Sequence, residues 1–108
     1  MNLKKSLLTA LLSFGIVQST LAETDTERFN RALQFIKQQN YSDAFPLFKQ
    51  LAEQGDANAQ HNLGVMYENG QSVQRNVSKA KQYYRLACDN GLNIDCQTYA
   101  KLDKKGIK

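Results

Sequence analysis

The sequence predicts an all-α fold: a short right-handed solenoid of about five helices, built from stacked helical hairpins. Three observations carry the prediction. Apolar and small residues recur at steps of three and four along successive segments, which puts them on one face of each helix. Glycine- and asparagine-bearing turns separate those segments, as at Asn69-Gly70 and Asn90-Gly91. The pattern between Gly55 and Gly91 then starts again after Gly91.

The chain has 108 residues, enough for one domain at most. Residues 1–22 read as a signal peptide outside that domain. Lys4 and Lys5 form a positive start, Ser6 to Val17 is an apolar run, and Thr20-Leu21-Ala22 places small residues where cleavage would occur. The run is shorter than the roughly 20 apolar residues that span a bilayer. No cysteine lies near the cleavage point, so no lipid anchor is expected. The expectation is an exported protein, periplasmic or secreted, with no membrane anchor after cleavage.

The first helix follows Thr24, with Thr24 and Glu27 spaced as a capping box. Phe29, Ala32, Leu33, Phe35 and Ile36 form its apolar face, and Gln39-Asn40 ends it. Ser42 is the expected cap of a second helix, Asp43 to Gln54, with Pro46 in its first turn, where a missing amide hydrogen costs nothing. That helix is apolar on two sides, through Ala44, Phe45, Leu47, Phe48, Leu51 and Ala52, and Gly55 closes it.

A third helix is expected from Ala57 to Asn69, with Ala59, Leu63, Gly64 and Tyr67 on one face. Gly64 in mid-helix costs about 1 kcal/mol relative to alanine, and close approach of a neighbouring helix would compensate. Gln71 to Arg75 forms a loop, and Asn76 or Ser78 caps the fourth helix. Ala80, Tyr83, Tyr84 and Ala87 are its apolar face. A fifth helix, Asn93 to Lys104, carries Ile94, Tyr99, Ala100 and Leu102.

Thirty-six residues separate Gly55 from Gly91. At the same step Ala44 aligns with Ala80, Leu47 with Tyr83, Phe48 with Tyr84, Ala52 with Cys88, Leu63 with Tyr99 and Gly64 with Ala100. Large matches large and small matches small. A period of this size marks a helical solenoid, in which hairpins must stack to bury a continuous core.

Charge and cysteines narrow the function. Removing residues 1–22 leaves 86 residues with a net charge of +2, far from the dense basic stripe of a nucleic-acid binder. Lys101, Lys104, Lys105 and Lys108 read as a solvated, fraying terminal helix. Cys88 and Cys96 are the only cysteines, and export would place them where disulfides persist. They permit one intramolecular pairing and lack a CxxC spacing or a zinc-ligand cluster, so a structural disulfide is expected.

The central repeat closely resembles the Sel-one-like repeat (SLR) family, a relative of the tetratricopeptide repeat with a longer inter-helix loop. Ala59, Leu63, Gly64, Tyr67, Gly70, Val73, Lys79, Ala80, Tyr84, Ala87 and Gly91 carry the resemblance over residues 57–91. Asn76 stands where the family has a loop aspartate. Residues 23–56 look more like an ordinary tetratricopeptide hairpin, through Ala32, Phe35, Tyr41, Ala44 and Phe48. Residues 92–108 make a half-repeat cap. The Cys88–Cys96 spacing is similar to that of cysteine-rich exported bacterial members.

The resemblance implies a non-catalytic scaffold that binds another protein or peptide, as a monomer, without metal or cofactor. In this repeat class the first helix of each hairpin lines the concave face. That implies Asn58, His61, Asn62, Val65 and Glu68, then Ile94, Gln97 and Lys101, as partner-binding positions. Two other readings follow from relatives: weak binding or hydrolysis of a β-lactam or peptidoglycan fragment, and inhibition of, or immunity to, a secreted toxin. Against catalysis, no Ser-x-x-Lys in the mature chain is arranged with other β-lactamase elements, and His61 is the only histidine.

Overall fold

The computed structural model of the protein describes residues 22–108, so the signal-peptide expectation for residues 1–22 lies almost wholly outside the described residues. Five helices follow one another: α1 (Asp25–Lys37), α2 (Tyr41–Glu53), α3 (Ala57–Asn69), α4 (Val77–Asp89) and α5 (Asn93–Lys104). Each packs on the helix before it and the helix after it, the contact order of a hairpin solenoid.

Local chemistry sets most boundaries. Thr24 and Glu27 close the capping box of α1: the Glu27 amide donates to Thr24 Oγ1 at 3.1 Å, and the Thr24 amide to Glu27 Oε1 at 3.0 Å. Asp56 caps α3 by accepting from the Ala59 amide at 3.0 Å. Asn76, rather than Ser78, caps α4 by accepting from the Lys79 amide at 2.9 Å. Gly70 ends α3 in the left-handed region, with φ of 68°, where a side chain would be strained.

The start of α2 differs from the expectation. Asn40, not Ser42, is the cap, accepting from the Asp43 amide, and its Nδ2 donates to Asp43 Oδ2 at 2.8 Å. Starting earlier brings Tyr41 into the helix, where its ring packs on the core. Pro46 therefore lies beyond the first turn. It removes the amide that would have bonded the Ser42 carbonyl, at an exposed position where water can replace it.

Two clusters form the core. Ala32, Ala44, Phe48, Leu51, Ala52, Ala59, Leu63 and Met66 bury the first, between α1, α2 and α3. Ala80, Tyr84 and Leu102 bury the second, with Val65, Tyr67, Val77, Tyr99 and Ile107 packed on it. Aromatic pairs bridge the helices: Phe29 meets Phe48 edge-on at 5.6 Å, Phe45 meets Tyr67 at 5.9 Å, and Tyr67 stacks on Tyr83 at 5.7 Å. Tyr67 thereby ties α3 to both of its neighbours.

The 36-residue period is visible in three dimensions at the joints between hairpins. Between α2 and α3, Gln60 Nε2 donates to the Ala52 carbonyl at 3.0 Å. One period later, between α4 and α5, Cys88 and Cys96 occupy the same two positions and are joined by a disulfide. A hydrogen bond and a covalent bond thus hold equivalent joints. Asn90 Nδ2 also donates to Gln60 Oε1 at 2.9 Å, so the buried Gln60 amide joins three helices.

The end of the chain is docked, which corrects the fraying expectation. The Lys81 side chain is buried, and its ammonium donates to Asp103 Oδ1 and to the Ile107 carbonyl, each at 2.7 Å. Ile107 packs against the second cluster. The four tail lysines are exposed, but the segment that bears them is anchored.

Candidate functional site: the outward stripes of α3 and α5

On α3, His61, Gly64, Val65 and Glu68 fall on one stripe at helical spacing, and contacts show that it faces α4. The His61 ring lies 6.0 Å from the ring of Tyr84. Gly64 is buried under that ring so closely that an added Cβ would meet Tyr84 Cε1 at 2.5 Å. Val65 packs on the cluster around Ala80 and Tyr84, and Glu68 Oε1 accepts the Tyr84 hydroxyl at 2.6 Å. Burial, with the bond to the Glu68 carboxylate, pushes the Tyr84 phenol well above its ordinary range, so it stays protonated.

His61 makes a second commitment. Its Nδ1 lies 2.7 and 3.0 Å from the two oxygens of Asp95, whose side chain is fully buried on α5. A carboxylate only accepts, so Nδ1 carries the hydrogen and the ring orientation is fixed. Asp95 carries no signal in the sequence: it occupies the position that Ala59 fills one period earlier. Only the contact across 34 residues shows that it meets His61.

Of the expected partner-binding positions, then, His61, Val65 and Glu68 are engaged with the protein's own helices. Asn58 is exposed, and its carbonyl accepts from Asn62 Nδ2 at 2.8 Å. Ile94, Gln97 and Lys101 on α5 are exposed, Ile94 at 54%. The repeat-defining residues Ala59, Leu63, Ala80, Tyr84 and Ala87 are buried. Tyr67 is half-buried, and Gly70 and Gly91 sit at turns.

Two features with catalytic overtones resolve into structural ones. Ser78 and Lys81, at the start of α4, have the bare Ser-x-x-Lys spacing, which the sequence reading did not single out. The Lys81 ammonium is held by Asp103 and the Ile107 carbonyl and lies 5.1 Å from the centre of the Tyr99 ring, so it is not aimed as a base at Ser78. A cleft of about 160 Å³ opens among Asp25, Thr26, Phe29, Asp56 and Asn58. Small-molecule sites are commonly about 300–1,000 Å³. Its two carboxylates are already used, Asp25 by Arg28 and Asp56 as the α3 cap. Among the described residues, no group of three histidine, cysteine or acidic side chains could hold a metal ion.

The architecture is that of an all-α helical solenoid. Sequence comparison gives the family: the Sel1 repeat model matches residues 31–56 and 57–92, more than half of the chain, and the chain belongs to the Sel1 repeat family. The match includes the hairpin that looked more like an ordinary tetratricopeptide unit. A sel1-like repeat-containing protein of Acanthamoeba polyphaga mimivirus is 42% identical over 49 residues, which are 45% of this chain and 9% of that protein. The crystal structure of a Sel1 repeat protein from Oxalobacter formigenes superposes with a TM-score of 0.74 at 27% identity, over 78% of this chain and 36% of that one. The chain thus spans well under half the length of both. Sel1 repeats form scaffolds typical of protein–protein interaction.

Proposed function

We propose that this chain is an exported, non-catalytic Sel1-repeat scaffold that binds another protein through the exposed residues of its first-of-hairpin helices, α3 and α5. The observation that carries this reading is the division of those residues. The stripe of α3 is used to build the solenoid, whereas Ile94, Gln97 and Lys101 on α5 and Asn58 on α3 are exposed and Asn62 is half-buried. Such a surface, polar with isolated apolar points, suits a peptide or a helix better than an enclosed small molecule.

Export is supported by the pattern of residues 1–22 and by the disulfide, a bond that persists in oxidising compartments. The non-catalytic reading is supported by the occupied state of His61, Asp95 and Lys81, and by Thr98, whose hydroxyl bonds the Ile94 carbonyl. The protein acts as a monomer in this reading.

Affinity capture from extracts of the expressing cell's envelope tests the proposal. The wild-type chain retains a partner that Gln97→Glu with Lys101→Glu loses and that Gln50→Glu with Gln82→Glu keeps. Equal retention by all three, and by Asn58→Asp with Asn62→Asp on α3, would sink it. Recovery of a processed amino terminus at Glu23 from the same fraction tests export.

A further inference from the structure

On α3 the stripe His61, Gly64, Val65 and Glu68 is the surface on which α4 sits. The same stripe one period on, at Gln97, Ala100, Lys101 and Lys104 of α5, carries no helix among the described residues, and all four residues are exposed. The repeat therefore contains both a filled and an open copy of one helix seat, and the filled copy shows what the open one accepts.

We infer that the open seat on α5 receives an acidic amphipathic helix of a partner protein. Three observations fix that chemistry. At the filled seat the acceptor Glu68 receives a hydroxyl from the seated helix; at the open seat the equivalent residue is Lys104, a donor, with Lys101 in place of Val65. The seated helix must therefore supply acceptors, and carboxylates match two ammonium groups best. Lys101, Lys104, Lys105 and Lys108 make no ion pair among the described residues, and Lys105 and Lys108 extend the positive surface past the end of α5.

The second observation is the charge distribution along the stack. Residues 23–74 hold seven acidic and four basic side chains, whereas residues 75–108 hold three and eight. Asp95 is buried and Asp103 is paired with Lys81, so little negative charge offsets the lysines of α5. The field at this end steers an acidic partner in and repels a basic one.

The third is steric. Gly64 admits the face of Tyr84, and an added Cβ there would collide with the ring. Ala100 carries that Cβ, so the partner presents alanine or leucine at this point, not an aromatic ring. Ile94, 54% exposed, offers an apolar contact one turn towards the start of α5. Helix-in-groove recognition reads anchors at i, i+3, i+4 and i+7 on the inserted helix, so the partner helix offers one stripe along Gln97, Ala100, Lys101 and Lys104.

This inference rests on the protein-binding reading above and is separable from it. The test is a titration of the oxidised, isotope-labelled mature chain with two designed helical peptides. Both carry alanine and leucine on one face; one is flanked by glutamates and the other by lysines. The glutamate peptide should bind saturably, shift backbone amide resonances along residues 94–104, and lose affinity about tenfold with Lys101→Glu and Lys104→Glu. Those two substitutions lie on exposed positions, and an unchanged circular dichroism spectrum checks the fold. Shifts centred elsewhere, equal binding of the lysine peptide, no saturable binding, or self-association through α5 would each overturn the inference. A natural partner lost through substitutions at Asn58 and Asn62, with binding intact in the α5 variant, would also overturn it while leaving the general reading standing.

Discussion

Asp95 and Ala59 occupy the same position in successive repeats, 36 residues apart, and both are fully buried. A carboxylate in a site built for a methyl group persists because His61 reaches across from α3 to donate to it at 2.7 Å. Removing His61 leaves the buried Asp95 carboxylate without its donor, and the partly exposed place of the ring lets water replace some of it. His61→Ala should cost about 1–3 kcal/mol. Asp95→Ala, which restores the residue of the preceding repeat, should be close to neutral. Urea denaturation of both variants checks this; equal losses would show that the pair is not the reason Asp95 is tolerated.

Gly64 is where a residue chosen against helix propensity is required by packing. Gly64→Ala gains about 1 kcal/mol of propensity but drives a methyl group into the buried ring of Tyr84, whose hydroxyl is anchored on Glu68. Overpacking of that kind costs about 1–3 kcal/mol. The variant should have a lower urea midpoint than wild type, whereas Ala100→Gly, at the exposed equivalent, should lose only the propensity difference. A more stable Gly64→Ala protein would contradict the close approach.

The disulfide closes a short loop at the last joint, so about 2–3 kcal/mol is expected from it. The variant with Cys88→Ser and Cys96→Ser should melt earlier, and helicity should be lost first in α5. Coincident melting of wild type and variant under oxidising conditions would remove the staple from the account.

Alkaline pH should weaken the fold, and the sign follows from the two tyrosines. Burial raises the phenols of Tyr84 and Tyr83 in the folded state. Above the ordinary tyrosine value, near 10, the unfolded chain releases protons that the folded chain still holds, so stability falls as pH rises. Their contribution is intact below that value. Tyr84→Phe should flatten the decline in a series of melts from pH 8 to pH 11; an unchanged slope would exclude Tyr84 as a source.

Lys81 ties the last turn to α4 through Asp103 and the Ile107 carbonyl. Lys81→Met should keep the packing of the stem but release the tail, costing about 1–3 kcal/mol for bonds to a charged donor. Hydrogen exchange should accelerate at residues 102–107 and not in α2. Uniform acceleration would mean that the lysine supports the whole core instead.

What could be read from the sequence was whatever short spacing decides. Thr24 and Glu27 lie within one turn of each other, Gly64 aligns with the small Ala100 one period on, and Cys88 has only Cys96 to meet. The cap at Asn40 was missed because Ser42 is an equally good local signal, and the packing of Tyr41 against the core settles the choice. The roles of Asp95 and Lys81 were hidden for the same kind of reason: their partners lie 34 and 22 residues away, on helices whose packing fixes the contact. For the candidate site, the sequence placed eight residues on outward helix faces. It could not show that three of them are turned to the protein's own α4 and α5.

That distinction is the centre of the account, and site-specific photo-crosslinking measures it most directly. A photoreactive residue placed singly at Gln97 or Lys101 of α5 should capture the partner in cells, and one at Gln50 or Gln82, exposed on α2 and α4, should not. Capture from the helices of α2 and α4 alone, with none from α5, would contradict the claim that this protein works through the open face of its first-of-hairpin helices.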